Sequence, residues 1–190
     1  MDFNNADRQR ATGELIPENT IVPVHMVVRP GGAGDGGWLK RNQAGNCLMI
    51  DCEFTVIEGN YARRKFWTLL TTEGETEGQQ TAADITRSRL RAILESARGI
   101  TPDDESEQAM NARRVSGIGD FDGLRFWAVV GLEPAKGEYK AKNVLKAVIT
   151  PDRKEWAKLE QVGRPASAAP AKTSTAAKAP SGGAKPSWAA

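Results

Sequence analysis

The chain predicts a mainly β domain with one or two helices, and three observations point there. Apolar and polar residues alternate along separated runs bounded by Gly, Pro and Asn, the period of half-buried strands. One stretch after the third run switches to helical spacing. The segment from Arg164 to Ala190 is built from Ala, Pro, Ser, Thr and spaced Lys, whose small side chains cannot offset backbone entropy. The expected division is a flexible segment at 1–19, a folded domain at 20–163 and a disordered tail at 164–190.

The elements follow in order. Val22, Val24, Met26 and Val28 set a period of two for the first strand, and Pro23, lacking an amide donor, predicts an edge or a bulge. A glycine-rich stretch from Pro30 to Asn46 reads as a long mobile loop. Leu48, Ile50, Cys52, Phe54 and Val56 share one face of the second strand, and Glu58-Gly59-Asn60 turns the chain into a third strand from Ala62 to Thr72. The helix is expected from Thr81, with Asp84 completing a capping-box-like start and Gly99 a stop. Ile85, Leu90, Ile93, Leu94 and Ala97 form its apolar stripe, with Arg87, Arg91, Glu95 and Arg98 in water. A short helix is expected after Thr101-Pro102. Gly123–Glu133 and Lys142–Thr150 read as a closing hairpin. The order strand, strand, strand, helix, strand, strand is that of a five-stranded OB-fold barrel, a partly open Greek key.

Composition narrows the function classes. The 190 residues carry 26 basic and 24 acidic side chains, and four of the basic ones (Arg164, Lys172, Lys178, Lys185) lie in the tail. Residues 1–163 are therefore slightly acidic, and any polyanion must be held by a local stripe rather than by bulk charge. Two cysteines and a single histidine, with no CxxC, leave no disulfide framework and no structural zinc site. No apolar run approaches the roughly 18 residues of a membrane span, and the first ten residues lack the apolar core of a secretory signal. The expectation is a cytoplasmic protein with no metal and no cofactor.

Two motifs resolve into ordinary structure. Gly32, Gly34 and Gly37 match GxGxxG, but no helical period follows to receive a pyrophosphate. Pro102-Asp103 with Glu138 and Lys140 spells the PD…ExK elements of magnesium nucleases. Pro and an acid at a helix start, and charges at a hairpin tip, account for them without chemistry. No serine or cysteine nucleophile stands in a recognisable frame with His25.

The positive signal is aromatic residues interleaved with basic ones. Arg63, Lys65 and Trp67 share a face of the third strand; Arg125 and Trp127 share one of the fourth. The hairpin adds Lys136, Tyr139, Lys140 and Lys142, and the glycine-rich loop adds Trp38, Lys40 and Arg41. Phe66 and Phe126, of opposite parity, face the core. Stacking aromatics beside phosphate-binding cations are what a single strand of nucleic acid requires. Asp51 and Glu53, outward on the second strand, oppose it. The solvated-face alternative, with Trp67 and Trp127 both in the core, stays open.

Residues 54–67 (FTVIEGNYARRKFW) and the 137–143 hairpin (GEYKAKN) resemble a family of phage and prophage OB-fold proteins like single-stranded-DNA-binding proteins, found with recombination genes. Ala62 stands where that family usually has glycine. The chain also ends in KPSWAA rather than the acidic, aromatic peptide of bacterial single-strand-binding proteins. The resemblance implies a non-enzymatic protein binding single-stranded DNA in replication or recombination, with proteins of those processes or a second copy of the chain as further partners. The competing expectations are a magnesium nuclease using Asp103, Glu138 and Lys140, and an accessory protein that binds another protein.

Overall fold

The computed structural model describes residues 15–160. Its strands are β1 (Ile21–Arg29), β2 (Leu39–Arg41), β3 (Cys47–Val56), β4 (Lys65–Gly74), β5 (Arg125–Glu133) and β6 (Lys142–Val148). The helices are α1 (Glu77–Arg98), α2 (Glu107–Arg113) and α3 (Trp156–Glu160). The described residues thus form one open, antiparallel, six-stranded sheet with three helices, where the sequence predicts a partly open barrel of five strands.

Alternation builds the sheet. Ile50, Cys52, Phe54 and Val56 of β3 point inward and are buried, as are Val22, Val24, Met26 and Val28 of β1. β3 pairs with β4 along one edge and shares the other between β2 and β1; β1 then pairs with β5, and β5 with β6. Phe54 stands at the centre, 5.2 Å from the Phe66 ring and edge-on to Phe126 at 6.0 Å, so the two phenylalanines expected inside are core. The extra strand, β2, forms because the glycine loop folds back on itself. Gly31 and Gly32 N–H both donate to Gly37 O, and Ala33 pairs with Leu39. The loop is therefore internally bonded, not the mobile loop expected.

Pro23 is not at an edge. It stands opposite Trp127 in the β1–β5 pairing, and its carbonyl accepts from Ile57 N–H just beyond the first β1–β3 pair, Val24 with Val56, so the donor it lacks falls at the end of that ladder. The third strand starts at Lys65 rather than Ala62, because residues 59–64 turn, with Arg63 at a φ of 68°. α1 starts earlier than Thr81: Thr76 and Gln79 form the capping box, and Gly99 in the left-handed region ends the helix as expected. On that longer helix Ile85 points outward. Glu95, expected in water, is buried beneath Arg91 and Arg113, each 2.8 Å from the same carboxylate oxygen. α2 starts at Ser106, which caps Ala109 N–H, and leaves Pro102-Asp103 in the preceding loop.

β4 and β6 face each other without a ladder. Across that seam Thr68 Oγ1 accepts from Leu145 N–H at 2.9 Å. The Asn143 carboxamide accepts from Ile16 N–H and donates to Ile16 O, both at 2.8 Å, and donates to Gly131 O at 3.3 Å. A side-chain amide thus stands in for a peptide group, and Ile16 is driven into the core. Residues 15–19, expected to be flexible, are held to the sheet, with Asn19 N–H also bonded to Val130 O. Residues 1–14 and the predicted tail at 164–190 lie outside the described residues. At the other flank, Trp156 of α3 packs with Trp127 and Ile149 in a second small core on the outer side of β1 and β5. No helix among the described residues is long and apolar enough to cross a membrane.

Asn143→Ala should strip the Ile16 backbone of both partners and lower stability by about 1–3 kcal/mol, the cost of leaving buried polar groups unsatisfied. Chemical denaturation of the full chain measures it.

Candidate functional site

The outer surface of the sheet has two halves. α3 covers the β1–β5 half, and with it Trp127, which is 4% exposed. The sequence turns Trp127 away from the main core, as it is, but a helix closes its face, so this residue is not on the open surface expected for it. The half formed by β2, β3, β4 and the end of β1 stays open. A groove of about 370 Å³ runs across it, lined by Arg29, Lys40, Asp51, Lys65, Trp67, Leu69 and Lys142, with Leu15 and Asn143 at the seam.

Parity explains this lining. Lys65, Trp67 and Leu69 alternate outward on β4, and Trp67 and Leu69 are 45% and 51% exposed, a short apolar platform open to solvent. Asp51 and Glu53 alternate outward on β3 beside them. Arg29 Nη2 and Lys40 Nζ both reach Asp51 Oδ2, at 3.2 and 3.5 Å. Lys65 Nζ donates to Glu53 Oε1, and the Trp67 indole N–H donates to Glu53 Oε2 at 3.1 Å. The Lys65 ammonium, and next the Trp67 N–H, hold the Glu53 carboxyl below its ordinary range, against some desolvation. The carboxylates therefore lie beneath their partners, with side chains 11% and 16% exposed, while Arg29, Lys40 and Lys65 stay half exposed above them.

Of the twelve residues expected to bind, the groove brings together four: Lys40, Lys65, Trp67 and Lys142. Lys142 also pairs with Glu133 at 3.1 Å. Lys136, Tyr139 and Lys140 sit on the β5–β6 loop, where Lys136 and Tyr139 exchange backbone bonds and Tyr139 is 82% exposed. Arg41 is engaged with Gly45 O, and Trp38 packs against the core and over Gly119. Arg63 lies in the turn before β4 rather than on its face, and Arg125 is exposed on β5 outside the groove lining. Arg29 and Leu69 were missed. Both are signalled by parity alone, Arg29 sharing the outward register of His25 and Val27, and Leu69 that of Lys65 and Trp67.

The rival chemistry finds little geometry. Asp103 lies in the α1–α2 loop and Glu138 at the β5–β6 hairpin tip, each exposed on a separate loop. Among the described residues no three His, Cys, Asp or Glu gather into a set able to hold a metal ion. Burial, and next the Asp51 charge, push the Cys52 thiol up to about 12, which keeps it protonated near neutrality. No protein-family model matches the chain, and no curated protein matches it.

The two tryptophans should separate cleanly in thermal and denaturant melts. Trp127→Ala empties a packed site and should cost about 3–5 kcal/mol, whereas Trp67→Ala, nearly half exposed, should cost far less. Glu53 adds a pH signature. Its folded pKa is depressed, so its contribution is complete above the ordinary glutamate value and is lost as pH falls through the folded one. The stability gap between wild type and Glu53→Gln should therefore be widest at about pH 7 and narrow towards about pH 3, as read by denaturation at each pH.

Proposed function

We propose that the chain is a non-enzymatic single-stranded-DNA-binding protein whose sheet is an OB-type barrel left open at the β4–β6 seam. With the three-residue β2 set aside, the remaining strands run in the spatial order third, second, first, fourth, fifth, with α1 between third and fourth. In an OB-fold the second and third strands and the two loops flanking them form the oligonucleotide surface. The groove lies on that half.

One observation carries the reading: Trp67 stands exposed on a strand face between half-exposed cations from three other strands and its own. A base stacked on the indole would leave its phosphates within reach of Lys40, Lys65, Arg29 and Lys142, which is how single strands are held without sequence readout. A duplex hides its base faces and offers this groove phosphates alone. The setting, phage or prophage replication and recombination, follows from the resemblance of residues 54–67 and 137–143.

Titration of the full chain with labelled oligo(dT) and with a duplex, each with and without magnesium, tests the reading. Retarded, intact oligo(dT) bound more tightly than duplex is the expected result. Four phosphate contacts should give a log–log salt slope near -3, at about -0.7 per contact, and Trp67→Ala should cost about 1–3 kcal/mol of binding. Cleavage of the label would replace this reading with a nuclease, and absence of binding at low salt would leave an accessory protein.

A further inference from the structure

Glu53 is an odd residue to find beside a groove meant for a polyanion. Its charge repels phosphate, yet both of its oxygens are engaged by groove residues on the neighbouring strand. Lys65 donates to one oxygen and the Trp67 indole N–H to the other at 3.1 Å. The cross-strand register makes this geometry exact in kind: Glu53 sits directly opposite Trp67, and Lys65 opposite Thr55, one outward step along. An exposed tryptophan on a strand otherwise samples several rotamers, and freezing it on ligand binding costs affinity.

We infer that Glu53 is a positioning residue: its carboxylate clamps the Trp67 indole and the Lys65 ammonium as one unit, presetting the distance between stacking platform and phosphate contact. The inference rests on the proposed oligonucleotide function and deepens it. Glu53 does not touch the ligand. It acts through Trp67 and Lys65, and its repulsion of phosphate is muted because Lys65 screens one oxygen and Arg29 stands nearby. Glu53 thus trades some long-range attraction for a prearranged short-range site.

Two neutral variants separate charge from positioning. Glu53→Gln removes the charge but keeps an oxygen that accepts from the indole; Glu53→Leu removes both while keeping a side chain suited to a strand. The protein has five tryptophans, so labelling with fluorotryptophan gives separable fluorine resonances, and Trp67→Phe assigns the one that matters. In the free protein the Trp67 resonance should stay near its wild-type position in Glu53→Gln and move or broaden in Glu53→Leu. With oligo(dT), Glu53→Leu should bind about three- to tenfold more weakly than Glu53→Gln, the worth of one hydrogen bond, although their charges are equal. Equal resonances and equal affinities in the two variants would overturn the clamp. If the wild type and both variants bind no oligonucleotide, the functional reading fails, while the fluorine shift still decides whether Glu53 orients Trp67. A thermal melt confirms that each variant is folded, and Glu53→Gln serves as the folded control.

Discussion

β3 has to satisfy three partners at once, and the rest of the molecule is arranged around that demand. Its backbone pairs with β4 along one edge and with β2 and β1 on the other, so neither edge is left over. A strand paired on both sides has one remaining freedom, which face points in, and Ile50, Cys52, Phe54 and Val56 settle it, since a one-residue slip would bury Asp51 and Glu53 instead. With the register set, the two carboxylates emerge on the outer face beneath β1, β2 and β4. Each of those strands contributes its cation to them: Arg29, Lys40 and Lys65. The inner core and the outer groove are therefore two consequences of one alternation.

The seam opposite β3 follows a different rule. β4 and β6 do not exchange backbone bonds, and side chains take over: Thr68 supplies a hydroxyl, and Asn143 an amide that pairs with Ile16 as a strand neighbour would. This arrangement lets residues 15 and 16 enter the sheet's edge without adding a strand, and it sets Leu15 at the groove's end. Buried backbone groups have to find partners, and here the solution is local polar chemistry rather than closure of the ladder. The outcome is an opening that a closed barrel would not have, beside the exposed Trp67 and Leu69.

How much of this was legible depended on whether the signal was local. Alternation is local, and it placed all the inward residues of β1 and β3, the opposed Phe66 and Trp67, and the outward Asp51 and Glu53. Capping is nearly local, but Thr81 with Asp84 imitates the signal that Thr76 with Gln79 carries; Ile85 faces outward, and Glu95 is held inside by tertiary pairing with Arg113 as well as Arg91. What the sequence hid was tertiary. Nothing near Trp127 announces that Trp156, far along the chain, will cover it, and nothing near Ile16 announces Asn143. Parity marked Trp127 as outward, which it is with respect to the main core; only α3 turns that outward face into a second interior. Arg29 and Leu69, by contrast, follow from parity alone, although neither belongs to an aromatic-basic cluster in the sequence.

The charge arrangement of the open face says what kind of discrimination the groove is suited to. Arg29, Lys40, Lys65 and Lys142 line the groove against Asp51, with Glu53 beside it on β3, so cations outnumber carboxylates while three of the cations are ion-paired to Asp51 or Glu53. A site built for non-specific phosphate attraction would leave its cations unpaired. Here Arg29 and Lys40 are tethered at 3.2 and 3.5 Å to Asp51, so a phosphate has to compete for them at short range. A ligand that reached these cations and also covered Trp67 and Leu69 would gain from both kinds of contact. An unpaired nucleotide strand brings both a phosphate and an exposed aromatic face, whereas a duplex brings the phosphate only. Under the proposed function, the exposed indole is therefore the contact that separates a single strand from a duplex.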